Sequence, residues 1–299
     1  MISIQNLSFD YANFLALQDI TVDIPQGSIT ALVGPNGAGK TTLMRCLTAL
    51  TLPTHGKILM DEIDIAVEPH ACHRMTGFLA DNFGLYEQLT IEQSISYFAA
   101  AHGLKNDERI EQVIAQVHLT NKTHELIKNL SRGMRQRVGI AQAIIHQPKY
   151  LILDEPASGL DPEARIELAG LFKKLNQEGI TLIVSSHILA ELDQYANNLL
   201  ILKNGKIVES GFDMNVENKK SVNHFVIHAA NISLLYSFAN NEMYEVLNTE
   251  NDKATIAINE KYTLQDCMQY FMGKGLQVSE FYKETGNIQD AYLKTIKNA

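Results

Sequence analysis

The sequence of 299 residues has few cysteines, no excess of positive charge and no long apolar run. Three scattered cysteines are too few for a disulfide framework, which favours a reducing cytosol. The formal net charge of -9 argues against broad nucleic-acid binding, because neutralising phosphates requires clustered Lys and Arg. The longest apolar runs, such as residues 198–202, are strand-sized and far shorter than the ~20 residues of a spanning helix. With no secretory signal pattern at the N-terminus either, any membrane role is expected to come through a partner.

The composition, with 45% hydrophobic and 20% charged residues, is typical of a globular protein. One group of possible metal ligands stands close together in the sequence: His70, Cys72 and His73. No second group with matching spacing follows, so the sequence favours ordinary loop or surface residues over a metal site.

Strand patterns dominate the start of the chain, and from residue 150 onwards buried strands alternate with helices. Hydrophobic patterns predict strands at residues 2–4, 20–24, 29–33, 150–154, 180–185 and 199–203. Helices are predicted near Lys40, at residues 91–102 and 107–118, after Pro162 and from Ile188. Apolar strands that alternate with helices predict a parallel sheet covered on both faces.

The composition turns polar after Gly211, which predicts a domain of residues 1–211, a linker at 212–220 and a small α+β domain at 221–299. The predicted order in the small domain is βαββαβ, followed by a final helix from Ile288. This order suits a split βαβ, ferredoxin-like sandwich.

Residues 34–41 fit a phosphate-binding loop, and they lie between a predicted strand and a predicted helix. The glycines allow backbone N–H groups to turn towards a triphosphate, which the helix N-terminus also favours. Lys40 is expected to reach the terminal phosphates, and the Thr41 hydroxyl is expected to bind Mg²⁺. The predicted nucleotide-binding residues here are Gly34, Pro35, Asn36, Gly37, Ala38, Gly39, Lys40, Thr41 and Thr42.

Residues 150–155 form an apolar strand that ends in two acids. Asp154, at the carboxyl end of the strand, is expected to hold Mg²⁺ through water. Glu155 is placed to polarise the attacking water as the general base. Acids at strand ends are common in α/β proteins, but together with a phosphate-binding loop they indicate nucleotide hydrolysis.

Residues 130–137, with the sequence LSRGMRQR, look like the signature usually written LSGGQ of the ABC ATPase family. With this segment, the chain resembles that family over nearly all of residues 1–211. The resemblance implies that Ser131 and Gly133, at the start of a helix, face the γ-phosphate of an ATP held by another protomer. Taken alone, Ser131 also suits a plain helix N-cap.

Three further positions match the family in order. Asp161 lies in a segment that resembles the D-loop, which contacts the opposite protomer. His187 resembles the switch histidine that senses the γ-phosphate. Tyr11 stands where the family places an aromatic residue that stacks on adenine, with Phe9 and Phe14 as nearby competitors.

Asp81 departs from the family pattern, which usually has Gln at the end of the strand that joins the core to the helical subdomain. A carboxylate there suits Mg²⁺ or its waters, so Asp81 is a predicted metal ligand beside Thr41 and Asp154. The other interpretation is that Asp81 only joins the two subdomains. An acid here, with residues 132–134 in the signature, looks like the subgroup that drives drug, polysaccharide or natural-product exporters.

The resemblance implies an α/β fold: a P-loop NTPase, RecA-like core, an antiparallel β region that carries Tyr11, and a helical subdomain at about residues 82–135. It also implies a cytoplasmic ATP-hydrolysing subunit that pairs with a second copy, or with another ATPase subunit, around two ATP and Mg²⁺. Such a dimer drives a separate membrane permease, which implies that the chain lies on the inner face of the plasma membrane.

The alternative is an ABC-type ATPase that acts on nucleic acid or the ribosome. The long coiled coils of chromosome-type relatives and the second cassette of ribosome-acting relatives are absent from the sequence. A non-hydrolysing regulatory subunit is disfavoured because Lys40, Asp154, Glu155 and His187 are all present.

Overall fold

The computed structural model describes residues 1–105, 107–210, 224–238, 242–259 and 261–283. The chain divides into two compact units, which among these residues are an N-terminal unit (1–210) and a C-terminal unit (224–283). The predicted linker at 212–220 and the predicted helix from Ile288 lie outside the described residues.

The N-terminal unit contains ten strands and seven α-helices among its described residues. Its strands are β1 (Ile2–Tyr11), β2 (Phe14–Ile24), β3 (Ile29–Val33), β4 (His55–Met60), β5 (Ile63–Asp64), β6 (Thr76–Leu79), β7 (Tyr150–Leu153), β8 (Thr181–Ser185), β9 (Asn198–Lys203) and β10 (Lys206–Ser210). Its helices are α1 (Lys40–Leu47), α2 (Pro69–Met75), α3 (Ile91–Ala101), α4 (Asp107–Gln116), α5 (Arg132–Ile144), α6 (Pro162–Gln177) and α7 (Leu189–Leu192).

The central sheet has the strand order β10-β9-β3-β8-β7-β6. The five strands from β9 to β6 are parallel, which confirms the predicted parallel sheet. β10 is an antiparallel edge strand, because Asn204 and Gly205 both adopt positive φ angles and close a tight hairpin with β9. β3, β7 and β8 are buried along their whole length, as their apolar sequences require. Because these three strands are parallel neighbours, their carboxyl ends meet at one edge of the sheet.

A second sheet, with the order β2-β1-β4-β5, is antiparallel. β1 and β2 are longer than predicted. Polar residues such as Asn6 and Asp10 and shifts in register interrupt the apolar alternation, so the sequence pattern indicated only part of each strand. One apolar core joins this sheet to α1 and to the central sheet, with Ile4, Met44 and Ile152 among its buried members. The helix that follows the phosphate-binding loop is thus held between two sheets.

Helices α3, α4 and α5 follow β6 and precede β7 in the chain, and they contact one another. Thr90 caps α3 with a full capping box, and Gln142 of α5 donates a hydrogen bond to Ser94 of α3 over 2.8 Å. α5 begins at the signature and continues past residue 135, because residues 138–144 are buried. This single helix connects the signature to the region of β6.

The group His70, Cys72 and His73 lies in α2, so the interpretation as loop or surface residues is wrong for Cys72, which is fully buried. Its Sγ is 3.5 Å from the sulfur of Met60 in the core. Within the described ranges, no cluster of three His, Cys, Asp or Glu side chains is arranged to hold a metal ion.

The C-terminal unit has the strands β11 (His224–Ala229), β12 (Tyr244–Glu250), β13 (Lys253–Ile258) and β14 (Val278–Lys283), and the helices α8 (Leu234–Ser237) and α9 (Leu264–Gly273). All neighbouring strands are antiparallel, in the order β12-β13-β11-β14. β13 separates the two strands that flank α8, and β11 separates the two that flank α9, which is a split βαβ arrangement. Leu235 of α8 and Phe271 of α9 are buried in its core. Over the described parts of both units, no helix combines the length and apolar character needed to span a membrane.

Candidate nucleotide-binding site

The phosphate-binding loop leaves the carboxyl end of β3 and enters α1 at Lys40. Gly37 and Gly39 have φ angles of 79° and 106°, a conformation that residues with a side chain rarely adopt. A Cβ on Gly34 would overlap the carbonyl oxygen of Leu202 in β9. The glycines of the motif are therefore required by backbone conformation at two positions and by close packing at a third.

Lys40 is buried at the start of α1, and its ammonium lies inside the loop. Nζ donates hydrogen bonds to the carbonyl oxygens of Gly34 (2.8 Å) and Pro35 (3.3 Å). These are neutral partners, and a phosphate group placed in the loop would offer the ammonium a stronger, charge-assisted partner. The buried position suits the predicted role of Lys40.

Asp154, at the end of β7, has only 1% of its surface exposed. Its Oδ2 accepts a hydrogen bond from Thr41 Oγ1 over 2.7 Å, and its Oδ1 accepts one from Ser185 Oγ over 2.6 Å. The first contact joins the phosphate-binding loop to the acidic strand. A carboxylate and a hydroxyl side by side are oxygen ligands of the kind that Mg²⁺ takes, so these residues fit the metal.

Glu155 follows Asp154 with a φ of 49° and lies beside His187. The distance from Glu155 Oε2 to His187 Nδ1 is 2.6 Å, and the His187 backbone N–H also donates to Oε2 over 3.3 Å. The structure thus brings together the predicted base and the predicted switch histidine, at the same sheet edge as Asp154.

Asp81 lies two residues beyond β6, whose end is tied to β7 by a hydrogen bond from Asp154 N–H to Leu79 O over 2.8 Å. Its side chain is exposed. Among the described residues, it makes no hydrogen bond with Thr41 or Asp154. A direct contact with a metal therefore stays a prediction.

Tyr11 lies at the end of β1, and its hydroxyl is 3.4 Å from the hydroxyl of Thr42 in α1. Its ring is half exposed and packs edge-on against Phe9, with 4.8 Å between the centroids. Phe9 is buried, so it cannot offer a face to a base, whereas Phe14 is exposed. Tyr11 and Phe14 therefore remain the aromatic residues available for stacking.

Ser131 is the N-cap of α5, and its Oγ accepts a hydrogen bond from Met134 N–H over 3.3 Å. The neighbouring Arg132 lies against the D-loop segment, since a Cβ on Gly159 would overlap its guanidinium group. Asp161 caps α6 by accepting a hydrogen bond from Ala164 N–H over 2.8 Å. The signature and the D-loop segment thus touch each other, and each begins a helix with an exposed N-cap residue.

Two features of the site escaped the sequence analysis. Ser185 contacts both acids from the end of β8. Glu191 of α7 is a buried carboxylate 3.0 Å from Nε of Arg165 in α6. A hydroxyl two residues before His187 was the available signal for Ser185, but nothing in the sequence pairs residues 165 and 191.

The family model described as ABC transporter matches residues 17–158. The uncharacterized ABC transporter ATP-binding protein YdbJ of Bacillus subtilis (strain 168) is 30% identical, over 93% of this chain and 89% of the relative. Among solved structures, an ATP-binding subunit of an ABC transporter has a TM-score of 0.65 at 28% identity, over 80% of this chain and 98% of that chain. The dimeric bacterial ABC transporter cassette MJ0796 has a TM-score of 0.64 at 25% identity, over 71% of this chain and 98% of that chain.

Proposed function

The chain belongs to the ATP-binding, ATP-hydrolysing subunits of ABC transporters, and from this premise we propose that two ATPase subunits enclose two ATP molecules with Mg²⁺ to drive a membrane permease. The contact between Thr41 of the phosphate-binding loop and Asp154 carries the assignment of the site. It joins the loop that would hold the phosphates to the acids that would hold the metal and activate water.

Each residue of the site has a separate proposed role. Lys40 and the loop N–H groups would bind the β- and γ-phosphates, while Thr41 and Asp154 would hold Mg²⁺, which neutralises phosphate charge when bound. Glu155 would accept the proton of the attacking water. The imidazole of His187, beside Glu155, would contact the γ-phosphate and keep the carboxylate directed at the water.

The dimer is proposed because the signature and the D-loop segment form a group apart from the phosphate-binding loop. Ser131 is exposed at the N-terminus of a 13-residue helix, where it and the following N–H groups suit an anion. Among the described residues, no hydrogen bond or ion pair joins it to residues 34–41. A second subunit would supply the missing half of each site, as the dimeric form of the similar cassette MJ0796 supports.

The permease partner is supported by an exposed aromatic patch that follows β6. Tyr86 and Tyr97 are 58% and 55% exposed, and their ring centroids are 5.7 Å apart. Large exposed rings that cluster in this way mark surfaces for protein contacts. The chain would then lie on the cytoplasmic face of the membrane, held there by the permease.

Export is the proposed direction, because Asp81 and residues 132–134 resemble the exporter subgroup. Once a permease that co-purifies with the chain is identified, the direction can be measured in inside-out vesicles. ATP-dependent uptake of the substrate into such vesicles supports export, and ATP-dependent release contradicts it.

The enzymatic proposal is tested with Glu155→Gln, which keeps the shape of the side chain but cannot accept a proton. We expect ATP turnover to fall by about 100-fold or more. With ATP and Mg²⁺, this variant should elute as a dimer in size-exclusion chromatography.

The matched control is Glu155→Gln with Ser131→Arg, which should stay monomeric because the added side chain fills the proposed γ-phosphate contact. Turnover by Glu155→Gln within a few-fold of wild type would contradict the assigned base. A monomer with ATP, or dimerisation of the double variant, would contradict the shared site.

A further inference from the structure

The carboxyl end of β8 carries a hydroxyl group that contacts the carboxylate of Asp154 and the backbone N–H of Glu155. Ser185 is fully buried, and its Oγ donates a hydrogen bond to Asp154 Oδ1 over 2.6 Å. The same oxygen accepts a hydrogen bond from Glu155 N–H over 2.8 Å. A hydroxyl has one proton to donate and two lone pairs, so both bonds form at once with a single orientation of the group.

The first bond fixes the plane of the Asp154 carboxylate. Ser185 holds Oδ1, and Oδ2 is left facing the hydroxyl of Thr41 at 2.7 Å. Hydrogen bonds to a carboxylate are about twice as strong as bonds between neutral groups. Rotation of the carboxylate away from Thr41 would break this bond at a side chain that is only 1% exposed.

The second bond fixes the peptide group from which Glu155 extends. Glu155 has a φ of 49°, in the left-handed region that costs energy for residues with a side chain. Its N–H is held by Ser185, and its carboxylate then meets His187. The backbone bond therefore sets the direction in which the proposed base leaves the chain.

We propose that Ser185 is a positioning residue for ATP hydrolysis. Its single hydroxyl aims the Oδ2 of Asp154 towards the metal side of the site and fixes the peptide that directs Glu155 at the attacking water. The inference rests on the roles proposed above for Asp154 and Glu155. It assigns a role in the geometry of the reaction to the last residue of β8, two residues before His187.

The test compares Ser185→Ala with Ser185→Thr, which keeps the hydroxyl. Thr181→Val is the matched control, because Thr181 lies in the same strand, is equally buried and also accepts a backbone N–H, from Gly27 over 2.9 Å. Its hydroxyl is at the opposite end of β8 and touches neither acid. ATPase activity of the full chain is titrated with Mg²⁺, and nucleotide affinity in EDTA and thermal midpoints are measured beside it.

We expect Ser185→Ala to lower kcat by about 10-fold and to raise the Mg²⁺ concentration for half-maximal activity several-fold, as the loss of a hydrogen bond to a charged group implies. Nucleotide affinity in EDTA should not change. Ser185→Thr should restore both kinetic values to near wild type, and Thr181→Val should change neither.

The proposal is overturned if Ser185→Ala keeps the wild-type kcat and Mg²⁺ curve, or if Ser185→Thr has a wild-type thermal midpoint but behaves like Ser185→Ala. It is also overturned if Thr181→Val produces the same kinetic loss. Glu155→Gln, assayed in parallel, distinguishes a failure of the role proposed for Glu155 from a failure of the role proposed for Ser185. Turnover retained by Glu155→Gln contradicts the assigned base, whereas the Mg²⁺ shift of Ser185→Ala depends on Asp154 alone.

Discussion

A buried ion pair connects the helix that follows the D-loop segment to the helix that follows His187. Nε of Arg165 in α6 lies 3.0 Å from Oε1 of Glu191 in α7. The side chain of Glu191 is 8% exposed and that of Arg165 is 30% exposed. Removing Arg165 would therefore leave a carboxylate with very little solvent to screen it.

We predict that Arg165→Met lowers the free energy of unfolding of the N-terminal unit by about 3 kcal/mol at pH 7.5. This is the lower end of the range for breaking a buried pair, since Arg165 is partly exposed. The remaining contact of Glu191, from Ser186 Oγ, is long at 3.5 Å and compensates little. Arg165→Met with Glu191→Leu removes both charges and should cost about 1 kcal/mol or less.

The deficit of Arg165→Met should shrink as the pH falls from 7.5 to 5.5. Burial raises the pKa of Glu191, while Arg165 and His187 lower it, so the pKa rises further without Arg165. A carboxyl group whose pKa is raised on folding stabilises the fold below its unfolded pKa and loses that contribution as the pH rises through the folded value. At pH 5.5, more of the folded variant is protonated at Glu191 than at pH 7.5, so the cost of the uncompensated charge is smaller.

The assay is urea unfolding of wild type, the single variants Arg165→Met and Glu191→Leu, and the double variant, followed by circular dichroism at both pH values. The chain has two compact units, so the transition of the N-terminal unit is identified as the one that ATP with Mg²⁺ moves to higher urea. Additive single effects, within about 0.5 kcal/mol, would refute the energetic coupling. A deficit of Arg165→Met that is equal at both pH values would refute the account of Glu191.

Two further predictions concern carboxylates elsewhere in the N-terminal unit. Asp81→Asn should raise the Mg²⁺ concentration for half-maximal ATPase activity several-fold without changing nucleotide affinity in EDTA; superimposable Mg²⁺ curves would leave Asp81 as a joint between subdomains. Burial raises the pKa of Asp61, but hydrogen bonds from Lys149, the N-terminal ammonium group and Tyr150 outweigh it and bring the pKa to about 2. Because the side chain is 27% exposed, Asp61→Asn should cost about 1 to 2 kcal/mol of unfolding free energy at neutral pH after solvent screening. The difference from wild type should shrink as the pH falls from about 4 to about 2, through the unfolded pKa towards the folded pKa of about 2. A difference in urea midpoint at pH 2 as large as at neutral pH would contradict it.

The parts of the fold that the sequence predicts well are those determined by residues close together in the chain. The phosphate-binding loop is one, because Gly37 and Gly39 adopt backbone conformations that few other residues tolerate. The apolar strands β3, β7 and β8 are another, since continuous burial leaves an uninterrupted apolar run. These local patterns also predict the order in which the motifs of the candidate site follow one another along the chain.

Features that depend on residues far apart in the chain were not predictable in the same way. β1 and β2 extend beyond their apolar alternation because each strand supplies hydrogen bonds to the other, whatever its outward side chains are. The pair of Arg165 and Glu191 joins two helices, α6 and α7, that are separated in the chain by β8. Arg132 covers Gly159 across a similar separation in sequence.

Ser185 shows where the limit lies, because its role follows once the strand order is known and not before. β8 lies between β3, which leads into the phosphate-binding loop, and β7, which leads into the acids. In register, Ser185 is level with Leu32 of β3, and Val184 is level with Leu153 of β7, so Ser185 is beside Asp154. A polar residue at this end of the central strand must lie between the two motifs. The sequence shows two adjacent serines before His187, and only the placement of β8 decides which hydroxyl faces the acids.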